Sequence, residues 1–126
     1  MSKIKVLVVD DEVALTRMIK LTLERAGDFE VQTENLGGHA LSTARAFRPD
    51  VIFLDIMMPD ISGAEVAEQL DADPLLHETP YVFLTAMVTK AETASSDGEI
   101  GGRLFLAKPV KAQEMVAMIK RVLGRG

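Results

Sequence analysis

The chain has 126 residues, 48% of them hydrophobic, and a formal net charge of −5. That length fits a single domain, residues 1–126, with apolar material for a sizeable core. The acidic balance argues against a nucleic-acid-binding surface, and the absence of cysteine excludes disulfides, thiolate metal sites and cysteine nucleophiles.

No apolar run approaches the ~18–20 residues that span a bilayer. Met1-Ser2-Lys3 leads straight into a short apolar strand, not a signal peptide. Both features suit a cytoplasmic protein. Ile4–Val9 is β-branched and apolar almost throughout, which predicts a strand buried on both faces and ended by Asp10-Asp11. Leu15, Met18, Ile19 and Leu23 then recur at helical spacing, and Gly27 closes that helix. Phe29–Thr33 is a weaker strand. Gly37-Gly38 breaks the chain, and Leu41, Ala44 and Phe47 mark a helix ending before Pro49.

Val51–Leu54 is a second fully apolar strand, ended by Asp55. A loop with Pro59 and Gly63 leads to a helix with Val66, Ala67 and Leu70 on one face. Tyr81–Leu84 is the next strand, ended by Thr85. The polar stretch from Thr89 to Gly102 supports only a short helix around Ala91–Ser96, because Gly98, Gly101 and Gly102 each cost a helix roughly 1 kcal/mol. Leu104–Ala107 is the last strand, ended by Lys108-Pro109. Met115, Val116, Ile119, Val122 and Leu123 line a terminal helix, whose nearby Lys120, Arg121 and Arg125 suit the negative end of its dipole. Alternating strands and helices of this kind predict an α/β fold, a doubly wound parallel sheet.

Asp10-Asp11, Asp55, Thr85 and Lys108 each follow an apolar strand. In an open parallel sheet those ends share one edge, where ligands bind. Clustered carboxylates repel unless a cation sits among them, and oxygen ligands without His or Cys suit Mg²⁺. A carboxylate beside such an ion can accept a phosphoryl group as an acyl phosphate. Lys108 supplies a charge and Thr85 a hydroxyl for the transferring oxygens. Small Ala86 lets the backbone approach closely. Taken singly, Asp10-Asp11 reads as a solvated turn or helix cap, Asp55 as a strand-end cap, and Thr85 and Lys108 as loop residues; joint placement at four strand ends favours a site.

Val8-Val9-Asp10-Asp11-Glu12 resembles the opening acidic motif of response-regulator receiver domains. The run from Asp55 through Met58-Pro59 to Gly63 is similar to their phosphoacceptor signature. Leu84-Thr85-Ala86 and Leu106-Ala107-Lys108-Pro109 match their two remaining motifs, in the correct order. The resemblance implies a flavodoxin-like (βα)5 fold with a five-stranded parallel sheet of order 2-1-3-4-5. It also implies phosphorylation of Asp55 by a sensor histidine kinase or histidine phosphotransfer protein. Asp11, Asp55 and the Met57 carbonyl would hold Mg²⁺, with Asp10 acting through water. Thr85 and Lys108 would contact the phosphoryl oxygens, and Thr85 with Phe105 would switch the surface near the last two helices and the last strand. The alternative for Phe105 is an ordinary core aromatic.

Met57, Ala86 and Met87 would flank the phosphoryl group, and neither methionine can orient an attacking water, so slow self-dephosphorylation is expected. His39 and His77 are expected at the surface. Such a domain modifies itself but turns over no independent substrate. The sequence fits both a stand-alone receiver and a piece of a larger regulator or hybrid kinase, with an output domain or downstream protein as further partner. A haloacid-dehalogenase-type enzyme needs an Asp where Met57 stands. A flavodoxin-type flavin module and a P-loop protein need phosphate loops this chain lacks. The remaining rival is a phosphate-independent receiver-fold binding module.

Overall fold

Apolar β-branched runs bounded by carboxylates, Gly and Pro form the strands of one sheet, seen in a computed structural model that describes residues 3–95 and 98–124. In chain order the elements are β1 (Ile4–Val9), α1 (Val13–Ala26), β2 (Phe29–Glu34), a 3₁₀ turn at Gly37–His39, α2 (Ala40–Phe47), β3 (Val51–Asp55), α3 (Gly63–Ala72), β4 (Tyr81–Thr85), α4 (Lys90–Ser95), β5 (Glu99–Ile100), β6 (Arg103–Ala107) and α5 (Ala112–Val122). Five strands are parallel, and the sheet order is β2-β1-β3-β4-β6-β5.

Alternate residues of the central strands feed two cores, as the period-2 geometry of a strand requires. Val6, Val8, Phe53, Val82 and Leu84 pack with Ile19 and Leu23 of α1 and with Met115 and Ile119 of α5. Leu7, Val9, Ile52, Leu54 and Phe83 pack with Ala44 and Phe47 of α2 and with Val66 and Leu70 of α3. The continuous apolar runs in β1, β3 and β4 therefore report a sheet covered on both sides. Among the described residues no helix is long and apolar enough to cross a membrane.

The expected order of parallel strands is observed, with β6 as the fifth of them, but the sheet is not purely parallel. A sixth strand, β5, pairs antiparallel with β6 through Glu99–Leu104 and Ile100–Arg103. Gly101 and Gly102 join the two with φ of +60° and +79°, the pair of left-handed residues that a tight hairpin demands. These glycines thus build a hairpin in the chain that follows α4 (Lys90–Ser95). The expected end of that helix at Ser96 lies outside the described residues, as does Arg125. Met18, expected on the buried face of α1, is exposed, while Ile19 and Leu23 are buried. Arg48 ends α2 at a φ of 56°, its N–H donating to the Ala44 carbonyl at 2.8 Å, immediately before Pro49.

Candidate functional site at the carboxyl edge of the sheet

The parallel arrangement brings the ends of β1, β3, β4 and β6 to one edge. Asp10, Asp11 and Asp55 meet there, each offering a carboxylate oxygen within 4.8 Å of the others. Asp10 is fully buried and Asp55 is 5% exposed; Asp11 is the more open of the neighbouring pair. Lys108 reaches in from β6, its Nζ lying 2.8 Å from Asp10 Oδ2, 3.4 Å from Asp55 Oδ1 and 3.6 Å from Glu12 Oε1. The second Asp10 oxygen accepts the Glu12 N–H at 2.9 Å.

Burial pushes the Asp55 carboxyl up from 3.8 to about 6, and the charge on Asp10 adds to it. Lys108 and the Met57 N–H oppose the rise without cancelling it. For Lys108, burial alone would lower the ammonium. The hydrogen bond and charge of Asp10, and the charge of Asp55, outweigh it and hold Lys108 above its ordinary value. The cluster therefore carries more negative charge than its one lysine neutralises. Its donors are all oxygens and include neither His nor Cys, a set that fits a hard divalent cation such as Mg²⁺.

Register places Thr85 opposite Ala107, next to Lys108, whose N–H donates to the Thr85 carbonyl at 2.9 Å. The Thr85 hydroxyl is buried and accepts the Met87 N–H at 3.0 Å. Ala86 is exposed beside it. Phe105 stands apart from the acids, half-buried against the α2–α3 core, with its ring 5.4 Å from Phe83. His39 and His77 are both exposed, as expected.

Asn35 plays a part that sequence reasoning missed. Its Nδ2 donates to the Asp10 carbonyl at 2.7 Å and to Thr16 Oγ1 at 2.9 Å, fixing the β1 terminus. Its partners lie 25 and 19 residues away, so no local pattern announces it. A second feature is a set of exposed apolar side chains a few residues beyond the carboxyl ends of four strands. Val13, Leu36, Met57 and Met87 follow β1, β2, β3 and β4 and are 54%, 50%, 69% and 70% exposed.

A family model described as the response regulator receiver domain matches residues 6–120. The phosphate regulon transcriptional regulatory protein PhoB of Pseudomonas aeruginosa is 37% identical over 121 residues, 95% of this chain and 52% of that protein. The alkaline phosphatase synthesis transcriptional regulatory protein PhoP of Bacillus subtilis is 36% identical over 96% of this chain and 49% of its own length. The chain thus spans about half the length of the curated relatives it matches. Among solved structures, a putative response regulator from Chloroflexus aurantiacus superposes with a TM-score of 0.81 at 31% identity, covering 98% of this chain and all of that one. The chemotaxis protein CheY4 of Vibrio cholerae gives 0.80 at 30% identity, covering 96% and 99%. The chain belongs to the response regulator receiver domain family of two-component signalling.

Proposed function

We propose that Asp55 is the phosphoacceptor of a single receiver domain, residues 1–126, that works in the cytoplasm. The observation that carries this is the Lys108 ammonium held between Asp10 and Asp55 beside the three-carboxylate cluster. A phosphohistidine on a sensor kinase or phosphotransfer protein is the donor. Its P–N bond breaks, a P–O bond to the Asp55 carboxylate forms, and the imidazole nitrogen keeps the electron pair and takes a proton from solvent. Lys108 and the Thr85 hydroxyl bind the phosphoryl oxygens, where fixed charge and donors stabilise transfer. Asp11, Asp55 and the Met57 carbonyl would hold Mg²⁺, with Asp10 assisting through water. When bound, the ion offsets the negative charge that accumulates on the carboxylates and the transferring group.

The exposed apolar side chains of Val13, Leu36, Met57 and Met87 beyond these strand ends support docking of a partner that delivers its histidine to Asp55. Movement of Thr85 onto the phosphoryl group frees space for Phe105 to bury further, changing the α4–β6–α5 face read by an output domain or downstream protein. The domain catalyses only its own phosphorylation and dephosphorylation. Intact-mass spectrometry after incubation with acetyl phosphate tests the assignment. A gain of one phosphoryl group that needs Mg²⁺ and is absent from Asp55→Asn is expected. No gain in a folded chain that binds Mg²⁺ would favour a phosphate-independent binding module.

A further inference from the structure

The segment between β3 and α3 contains Met57, and its shape decides where that carbonyl stands. Its base is closed by the Gly63 N–H donating to the Ile56 carbonyl at 2.7 Å. Its far side is tied to another loop. Asp60 Oδ2 accepts the Gly38 N–H at 2.8 Å across 22 residues of sequence. The Gly38 N–H is the first cause holding the Asp60 carboxyl below its ordinary value, and the N–H groups of Asp60 itself, Gly37 and Ile61 act the same way.

Packing reinforces the link. A Cβ on Gly37 would lie 2.5 Å from Ile61 Cγ2 and 2.9 Å from Met58 Cε, so a larger residue there would push these two side chains out of the contact between the loops. The loop that receives Asp60 is anchored in turn. Glu34, at the end of β2, accepts the Leu36 N–H at 3.0 Å and the Thr43 hydroxyl at 2.6 Å. A continuous path of hydrogen bonds and contacts runs from β2 through Gly37-Gly38 to Asp60 and the Met57 segment.

We propose that Asp60, seated on the Gly37-Gly38 turn, is a positioning residue that holds the Met57 backbone ready for the metal. The proposal rests on the assignment of the Met57 carbonyl as a Mg²⁺ ligand. A carboxylate at this place could also act through its charge alone, so the test separates the hydrogen bond from the charge. Asparagine keeps a side-chain carbonyl for the Gly38 N–H and removes the charge; alanine removes both.

Calorimetric titration of the whole chain with MgCl₂, with thermal unfolding run in parallel, distinguishes the cases. Asp60→Ala is expected to weaken Mg²⁺ binding about tenfold, an effect of about 1.4 kcal/mol. Asp60→Asn should stay within about threefold of the unsubstituted chain, a change of less than about 0.7 kcal/mol, and both variants should unfold cooperatively. Binding by Asp60→Ala as tight as the unsubstituted chain overturns the proposal. So does equal weakening by both substitutions, which would assign the effect to charge. An unsubstituted chain that binds no Mg²⁺ removes the metal assignment itself, and this inference with it.

Discussion

Met57 and Met87 flank Asp55 and Thr85 with thioethers that accept hydrogen bonds weakly and cannot orient water for attack. An aspartyl phosphate on Asp55 is therefore expected to persist. Replacing Met57 with Asn and Met87 with Glu should shorten its lifetime by about tenfold or more, in line with what a positioned polar group contributes. An unchanged decay rate, followed by mass spectrometry after donor removal, would contradict this. Asp55 also makes a prediction about the metal-free chain. Its folded carboxyl titrates at about 6 against an ordinary 3.8, so between those values the folded state binds more protons than the unfolded one. Stability from this group therefore rises as pH falls through that window, and the ionised carboxylate is a cost above it. Asp55→Asn should stabilise the chain in EDTA by on the order of 3 kcal/mol at pH 8 and about half that at pH 5. Urea unfolding at both pH values reads the difference, and equal gains would refute the cause given.

At the scale of elements, α3 begins where it must for Asp55 to reach the edge. A Cβ on Gly63 would overlap the Asp55 carbonyl oxygen and crowd the Ile56 Cα. The start of α3 thus presses on the end of β3, with Ser62 accepting the Glu65 N–H as the helix cap. Gly63→Ala should cost about 2 kcal/mol or more, since overpacked backbone must shift, and should weaken Mg²⁺ binding as Asp55 moves. Urea midpoints with an unchanged m-value would measure the cost; a neutral substitution would show that the contact yields easily. The β5–β6 hairpin behaves differently. Gly101 and Gly102 have open space around them, so their requirement is the backbone angle alone. Gly98, by contrast, is packed near Met118 of α5 and the Phe105 carbonyl, so the chain entering the hairpin is seated between α5 and β6.

In the whole molecule the two cores share the same central strands. Val6, Val8 and Phe53 point to one side, and Leu7, Val9 and Leu54 to the other. Neither layer can lose its helices without exposing one face of that sheet, so a single cooperative transition is expected. Leu23→Ala on the α1 side and Leu70→Ala on the α3 side should each cost about 2–5 kcal/mol. Both should shift one shared transition, seen alike by circular dichroism and by Tyr81 fluorescence. Separate transitions in either variant would show the two layers to be independent.

The amino-acid sequence by itself determined the alternation of strands and helices, because runs such as Ile4–Val9 and Val51–Leu54 are too apolar for a wet face. It also determined that acids, a threonine and a lysine end four of the strands, and parallel topology then leaves those ends no place but a common edge. Tertiary structure decided what depends on partners distant in the chain. Asn35 bracing Asp10, Asp60 held by Gly38, and Lys108 lodged between Asp10 and Asp55 all join residues that no local period connects. It likewise decided the β5 hairpin, since glycines that discourage a helix do not reveal whether the chain continues as loop or strand. Local propensity acts through neighbouring residues and is written in short windows of sequence; the site's hydrogen bonds form only once the sheet has gathered those windows at one edge.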